Sequence, residues 1–241
     1  MRGGVLAIGS LYWCSDPSRT TWRSSRLRQD QEHSVLVPIR YGRKSRSRQG
    51  TYTMVFSLLC LRRSHGLGVA KAIPLRNDTQ TSDELISEAE LMWAAECRST
   101  ESDGSLSSCW GTVALLINPN SDIPDNILTD WSNRIARETH TGHISHTRSE
   151  PQVVSTDGLL RIPWPETVQK TPLEFDFLLA TATKPLLHGK PPTYPRIRDV
   201  ALAWKRDRHE NVDYFWKNRA SGIQTYQDGA IMKYLPGGRS A

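Results

Sequence analysis

The sequence is short of the features that mark several protein classes. None of its apolar runs approaches the ~20 residues of a transmembrane helix, so membrane-spanning helices are not expected. There is no low-complexity tract and no internal repeat, which argues against a fibrous, solenoid or wholly disordered chain. Cysteine is scarce: Cys14, Cys60, Cys97 and Cys109 are scattered, with no CxxC pair. That usage offers neither a disulfide framework nor a zinc signature, and fits reduced thiols in a cytoplasm. The mildly apolar residues 1–11 are interrupted by Gly3, Gly4 and Gly9, and are not expected to act as a signal peptide.

What is present is a globular composition. The 241 residues are 37% hydrophobic and 23% charged, enough for one full domain with a real core or for two small ones. Net charge is +6, which permits nucleic-acid binding without demanding it. The charge is segregated. Residues 19–63 carry eleven Lys/Arg against Asp30 and Glu32, residues 77–104 carry eight Asp/Glu against Arg98, and residues 184–219 turn basic again. Faces of opposite potential are expected on the surface.

Strands are expected over residues 5–8, 35–41, 51–59, 66–74 and 110–117, with Pro38 marking an edge or a bulge in the second. Thr81, Ser82, Asp83 and Glu84 form a capping-box pattern, and a helix should run from there to about Glu96. A second helix is expected over 125–137, and two more over 195–206 and 225–235, the last capped by Thr225 and Asp228. Residues 139–171 read as loop, and 175–181 as a strand or a helix start. The class is α+β with a helical last third.

Two places suggest chemistry. A strand that ends in Gly9, Ser10 and Leu11 presents successive backbone N–H groups at a tight turn, which can cradle a carboxylate or phosphate and is also the form of an ordinary strand end. Glu96 lies eleven residues after Leu85, hence roughly 20° round the helix from it, on the stripe that Leu85, Ala89 and Met92 bury. It also stands at the helix C-terminus, where the macrodipole disfavours negative charge. A carboxyl placed at two costs suits a general acid/base; a helix that ended earlier would let it reach water.

Three blocks in order resemble γ-glutamylcyclotransferases of the ChaC type. Ile8-Gly9-Ser10-Leu11-Tyr12-Trp13 resembles the family's Tyr-Gly-Ser-Leu-x-Trp, with Ile8 where the family has Tyr. The segment 45–51 keeps Ser45, Gly50 and Thr51 of a Ser-x-x-His-Arg-Gly-Thr block, with Arg48 at the His position and Gln49 at the Arg. Met92 to Glu96 resembles the segment that carries the family's catalytic glutamate. The blocks cover the first half of the chain. The resemblance implies a small mixed β-barrel with flanking helices, expected over residues 1–171; residues 172–241, outside the resemblance, are expected to form a helical C-terminal extension packed on that core. It implies Glu96 as the catalytic group, Gly9, Ser10, Leu11 and Arg48 as substrate-binding residues, no metal and no cofactor. The substrate would be a γ-glutamyl amide, cyclised to 5-oxoproline and a free amine.

Other residues have readings of their own. Arg40, Arg43, Lys44, Arg46 and Arg48, with Tyr41 and Tyr52 nearby, could form a phosphate or nucleic-acid surface, a solvated hairpin loop, or a clamp for a substrate carboxylate. A non-catalytic binding module using this basic loop 40–48, or a subunit of an assembly, is thus the rival reading; nucleic-acid binding is expected to be weak and non-specific. His140, His143 and His146 read as a polar loop rather than a zinc site, because Gly142 and β-branched neighbours disfavour a helix that would align them. Cys97 beside Glu96 reads as an idle thiol. Trp164, Trp204 and Trp216, with Tyr214 and Phe215, suggest a packed helical layer whose aromatic face could meet a protein partner.

Overall fold

The computed structural model describes residues 1–45, 50–138, 152–188, 193–206 and 211–235. Arg46, Arg48, His140, His143 and His146 lie outside them. The described strands are β1 (Gly3–Ala7), β2 (His33–Val37), β3 (Ile39–Ser45), β4 (Thr51–Phe56), β5 (Gly68–Pro74), β6 (Ser107–Ser108), β7 (Gly111–Ile117), β8 (Glu166–Thr167) and β9 (Phe177–Thr183). The α-helices are α1 (Ser10–Trp13), α2 (Pro17–Arg26), α3 (Ser82–Cys97), α4 (Asp125–Ala136), α5 (Ile197–Arg206), α6 (Asn211–Ala220) and α7 (Asp228–Met232). None is long and apolar enough to cross a membrane among the described residues.

Seven strands form one mixed sheet in the order β6-β7-β9-β1-β5-β2-β8, in which β1 and β9 are parallel and every other pair is antiparallel. Its central strands are apolar on both faces because both faces are covered. Val5, Ala7, Val113, Leu115, Phe177 and Leu179 point to one side, where Leu85, Ala89 and Met92 of α3 and Ile127, Trp131 and Ile135 of α4 pack on them. The alternate residues Leu6, Ala114, Leu116, Leu178 and Ala180 face the other side, with the β3–β4 ribbon and α5 to α7.

Several expectations need correction. The expected strand 35–41 is two strands. Pro38 cannot donate to a ladder, and the chain leaves the main sheet there: β3 pairs with β4 alone. The sheet accordingly stays open among the described residues, with β6 and β8 at its ends, and no closed barrel forms. Residues 172–241 are not wholly helical, since β9 inserts between β1 and β7. The helix expected over 225–235 is confined to Asp228–Met232, although Thr225 N–H and Oγ1 both bond Asp228 Oδ1, at 3.0 and 2.7 Å.

The α3 start is as read. Thr81 Oγ1 accepts from Glu84 N–H at 3.2 Å, and Glu84 Oε2 accepts from the N–H groups of Gln80 and Thr81. Those backbone bonds hold the Glu84 carboxyl below its usual range.

The segregated charge partly cancels inside the fold. Arg19, Arg23 and Arg26 recur along one face of α2, and two of them meet acids of α3. Arg26 Nε bonds Glu88 Oε2 at 3.1 Å and its Nη2 meets Oε1, while Arg19 pairs with Glu96. The basic and acidic stretches therefore form one helix–helix seam there rather than two opposed surfaces.

Candidate active site

The end of β1 and the end of α3 arrive at the same place. Chain direction sends β1 into residues 9–11, where α1 begins, and α3 packs beside α2 so that Glu96 emerges next to that turn. A cavity of about 790 Å³ opens there, and Gly9, Ser10, Leu11 and Glu96 all line it. Its size suits a small organic ligand. The structure thus brings together four of the five site residues expected from sequence; the fifth, Arg48, lies outside the described residues.

Arg19 is the hub that sequence reasoning missed. Its side chain is 6% exposed and that of Glu96 14%. Nη2 bonds Glu96 Oε2 at 2.6 Å and the Glu96 carbonyl at 3.1 Å, Nε bonds the Ala95 carbonyl at 3.2 Å, and Nη1 bonds Ser10 Oγ at 2.9 Å. One guanidinium thus satisfies the last carbonyls of α3, neutralises its negative pole, pairs with the glutamate and ties it to the turn. That answers both costs attached to Glu96. Arg23, one turn on, does similar work for α1: it bonds the carbonyls of Leu11 at 2.7 Å and Cys14 at 2.8 Å. Neither arginine stands near Glu96 in sequence, the Arg19–Glu96 bond spanning 77 positions.

The turn itself is a strand end running into a short helix. Tyr12 N–H bonds the Gly9 carbonyl at 3.0 Å, and Cys14 N–H bonds that of Ser10 at 2.9 Å. The N–H groups of Ser10 and Leu11 precede these bonds, and the first N–H groups of a helix have no acceptor within it.

The rest of the lining is rich in basic and aromatic residues. Arg43 and Lys44 come from β3, Lys184 follows β9, and Arg98 follows α3. With Arg19, five basic side chains line the cavity against the single acid Glu96, among the described residues. Arg43 lies over the Trp110 ring at 4.5 Å, and Trp110 stacks on Trp93 at 4.7 Å. The basic run 40–48 is therefore divided. Arg40 is buried over Tyr194 at 4.1 Å, whereas Arg43 and Lys44 face the cavity.

Cys97 and Cys109 also line this cavity. Desolvation at the wall, with Glu96 and Asp103 nearby, pushes the Cys97 thiol up to about 11, although the residue as a whole is exposed. A thiol so protonated at neutral pH is a poor nucleophile, in keeping with an idle role. Tyr214 of α6 reaches the cavity from beneath the turn. No group of His, Cys, Asp and Glu suited to a metal occurs among the described residues. No protein-family model, curated protein or solved structure matches the chain.

Proposed function

We propose that the chain is a γ-glutamylcyclotransferase-like enzyme that cyclises a γ-glutamyl amide to 5-oxoproline and a free amine. The observation that carries this reading is the meeting of Glu96 and the turn at Gly9, Ser10 and Leu11 in one cavity. The order of the three blocks in the first half of the chain supports it. On this reading the open sheet and its flanking helices are a variant of the cyclotransferase fold.

The residues take the following parts. The substrate's α-carboxylate is held by the N–H groups of the turn, in a cavity whose excess of basic side chains favours an anion. The γ-glutamyl chain folds so that its own α-nitrogen faces its γ-carbonyl carbon. Arg19 holds Glu96 by Oε2, and Oε1 takes a proton from the α-ammonium. The freed nitrogen forms a C–N bond to the γ-carbon, and the carbonyl electron pair moves to oxygen. Glu96 gives its proton to the leaving nitrogen as collapse of that tetrahedral species breaks the bond to it, then relays the remaining extra proton of the ring nitrogen to the freed amine, which departs as ammonium. Atoms and charge balance without water. A positioned carboxyl that moves the proton twice contributes about 10²–10⁴ in rate, and alignment of nitrogen against carbonyl adds to it.

The test is a panel of γ-glutamyl dipeptides and amides incubated with the full chain. The expected result is 5-oxoproline and free amine in equal amounts. Glutamate and amine in its place would show hydrolysis and overturn the cyclisation step.

A further inference from the structure

We propose that the leaving half of the substrate is acidic: the amine released is a dicarboxylic amino acid, held by the ammonium groups that Lys44 and Lys184 bring to the cavity. The proposal rests on the reading above for the γ-glutamyl half.

It starts from the charges that line the cavity. Arg19 is committed to Glu96, and the pair carries no net charge. Arg98 has Asp16 at 3.9 Å. A γ-glutamyl group is a zwitterion at neutral pH, with one carboxylate and one ammonium. It therefore brings no net charge to set against the remaining cations. Lys44 and Lys184 line the cavity, are exposed, and make no ion pair among the described residues. Two ammonium groups without an acid between them match the two carboxylates of a glutamate or aspartate leaving group.

The fold gathers these lysines at one place. Lys184 follows β9, and its N–H bonds the Trp110 carbonyl at 2.8 Å. Two residues on, Leu186 N–H bonds the Gly42 carbonyl at 2.8 Å, which sets this segment beside β3. Thr183 Oγ1 bonds the Met54 carbonyl of β4 at 3.3 Å. Gly42 is followed by Arg43, which lies over the Trp110 ring at 4.5 Å, and then by Lys44. Trp110 in turn stacks on Trp93 of α3 at 4.7 Å. Trp93 stands three residues before Glu96, about 4.5 Å of helix rise. The basic group is thus a neighbour of the carboxyl that protonates the leaving nitrogen, and both line one cavity.

γ-Glutamyl-glutamate and γ-glutamyl-glutamine have the same size and differ by one charge. Because both lysines keep contact with water, kcat/KM should favour the acidic dipeptide by about 5-fold at about 0.05 M salt, chiefly through KM. Screening should shrink that preference to about 2-fold or less at about 0.5 M salt. Lys44→Gln with Lys184→Gln should narrow it to below about 2-fold at low salt. A ratio of 1 or less in the parent overturns this proposal and leaves the cyclotransferase reading standing; so does a ratio that the double substitution leaves unchanged. If the parent cyclises neither dipeptide nor any other amide, that reading falls, and isothermal titration calorimetry judges the basic group alone. Tighter binding of γ-glutamyl-glutamate, lost in the double variant, supports it; equal affinity, or binding of neither dipeptide, overturns it.

Discussion

Replacing Arg19 by Met should damage both the fold and the site, and the structure sets the size of the effect. The thioether keeps much of the apolar stem but deletes four hydrogen bonds, to the Ala95 and Glu96 carbonyls, to Glu96 Oε2 and to Ser10 Oγ. It leaves a largely buried carboxylate beside a helix C-terminus without the one cation bonded to it among the described residues. Breaking one side of a buried ion pair typically costs about 3–5 kcal/mol, and the residual solvent access of Glu96 places this case near the lower figure. For a chain of this length each kcal/mol shifts Tm by about 2–4 °C, so a fall of roughly 6–12 °C is expected. Thermal unfolding followed by circular dichroism measures it. The same substitution made in Glu96→Gln should cost less by about 1–3 kcal/mol, because no charge is then stranded. A fall of less than about 2 °C, or equal costs in the two backgrounds, would refute the view that Arg19 exists to hold Glu96.

Two further predictions concern charge elsewhere. Asp228 is buried beside Tyr41, and burial raises its carboxyl above the usual range despite the bonds from Thr225 and the nearby Arg219. A carboxyl whose folded value is raised contributes stability fully below its unfolded value of about 3.9, and loses it as pH rises through the folded value. Asp228→Asn keeps an acceptor for Thr225 and carries no such loss. The Tm of the variant minus that of the parent should therefore grow from pH 4 to pH 7.5; a constant or shrinking difference would contradict the burial argument. For the basic run, the engagement of Arg40 with Tyr194 and of Arg43 with Trp110 leaves little continuous surface for phosphates. Fluorescence anisotropy with labelled DNA should give a Kd no tighter than ~10⁻⁶ M at physiological salt. Sequence-dependent binding near ~10⁻⁸ M, lost when Arg43, Lys44, Arg46 and Arg48 are changed together to Ser, would make nucleic-acid recognition the leading function.

What could be read from sequence was local. The Thr81–Glu84 box, the apolar run of β7 and the position of Glu96 on the α3 stripe are each fixed within a few residues of chain, and the fold keeps them. What escaped depends on distant partners. The α2 segment has one large apolar residue, Trp22, in a run of Arg, Ser and Thr, so hydrophobic periodicity does not mark it; its order comes from Arg19, Arg23 and Arg26 finding acceptors on α1 and α3. The signal that could have found it was Asp16 followed by Pro17, a cap and a first-turn proline, and Asp16 Oδ1 does accept from Ser18 N–H at 3.2 Å. Residues 177–183 alternate no polar face, with Thr181 and Thr183 following an apolar run 177–180, which suits a strand buried on both faces as well as a helix start, and only pairing with β1 and β7 decides.

The most direct test of the central claim compares the parent with Glu96→Gln, a change that keeps the shape of the side chain and removes its ability to carry the proton. Release of 5-oxoproline from the best γ-glutamyl amide of the panel is followed by chromatography, with thermal unfolding of both proteins as the check on folding. The account predicts that kcat falls by at least ~10² while the variant remains folded and KM changes little. Equal turnover by the two proteins would contradict it and remove Glu96 from the chemistry.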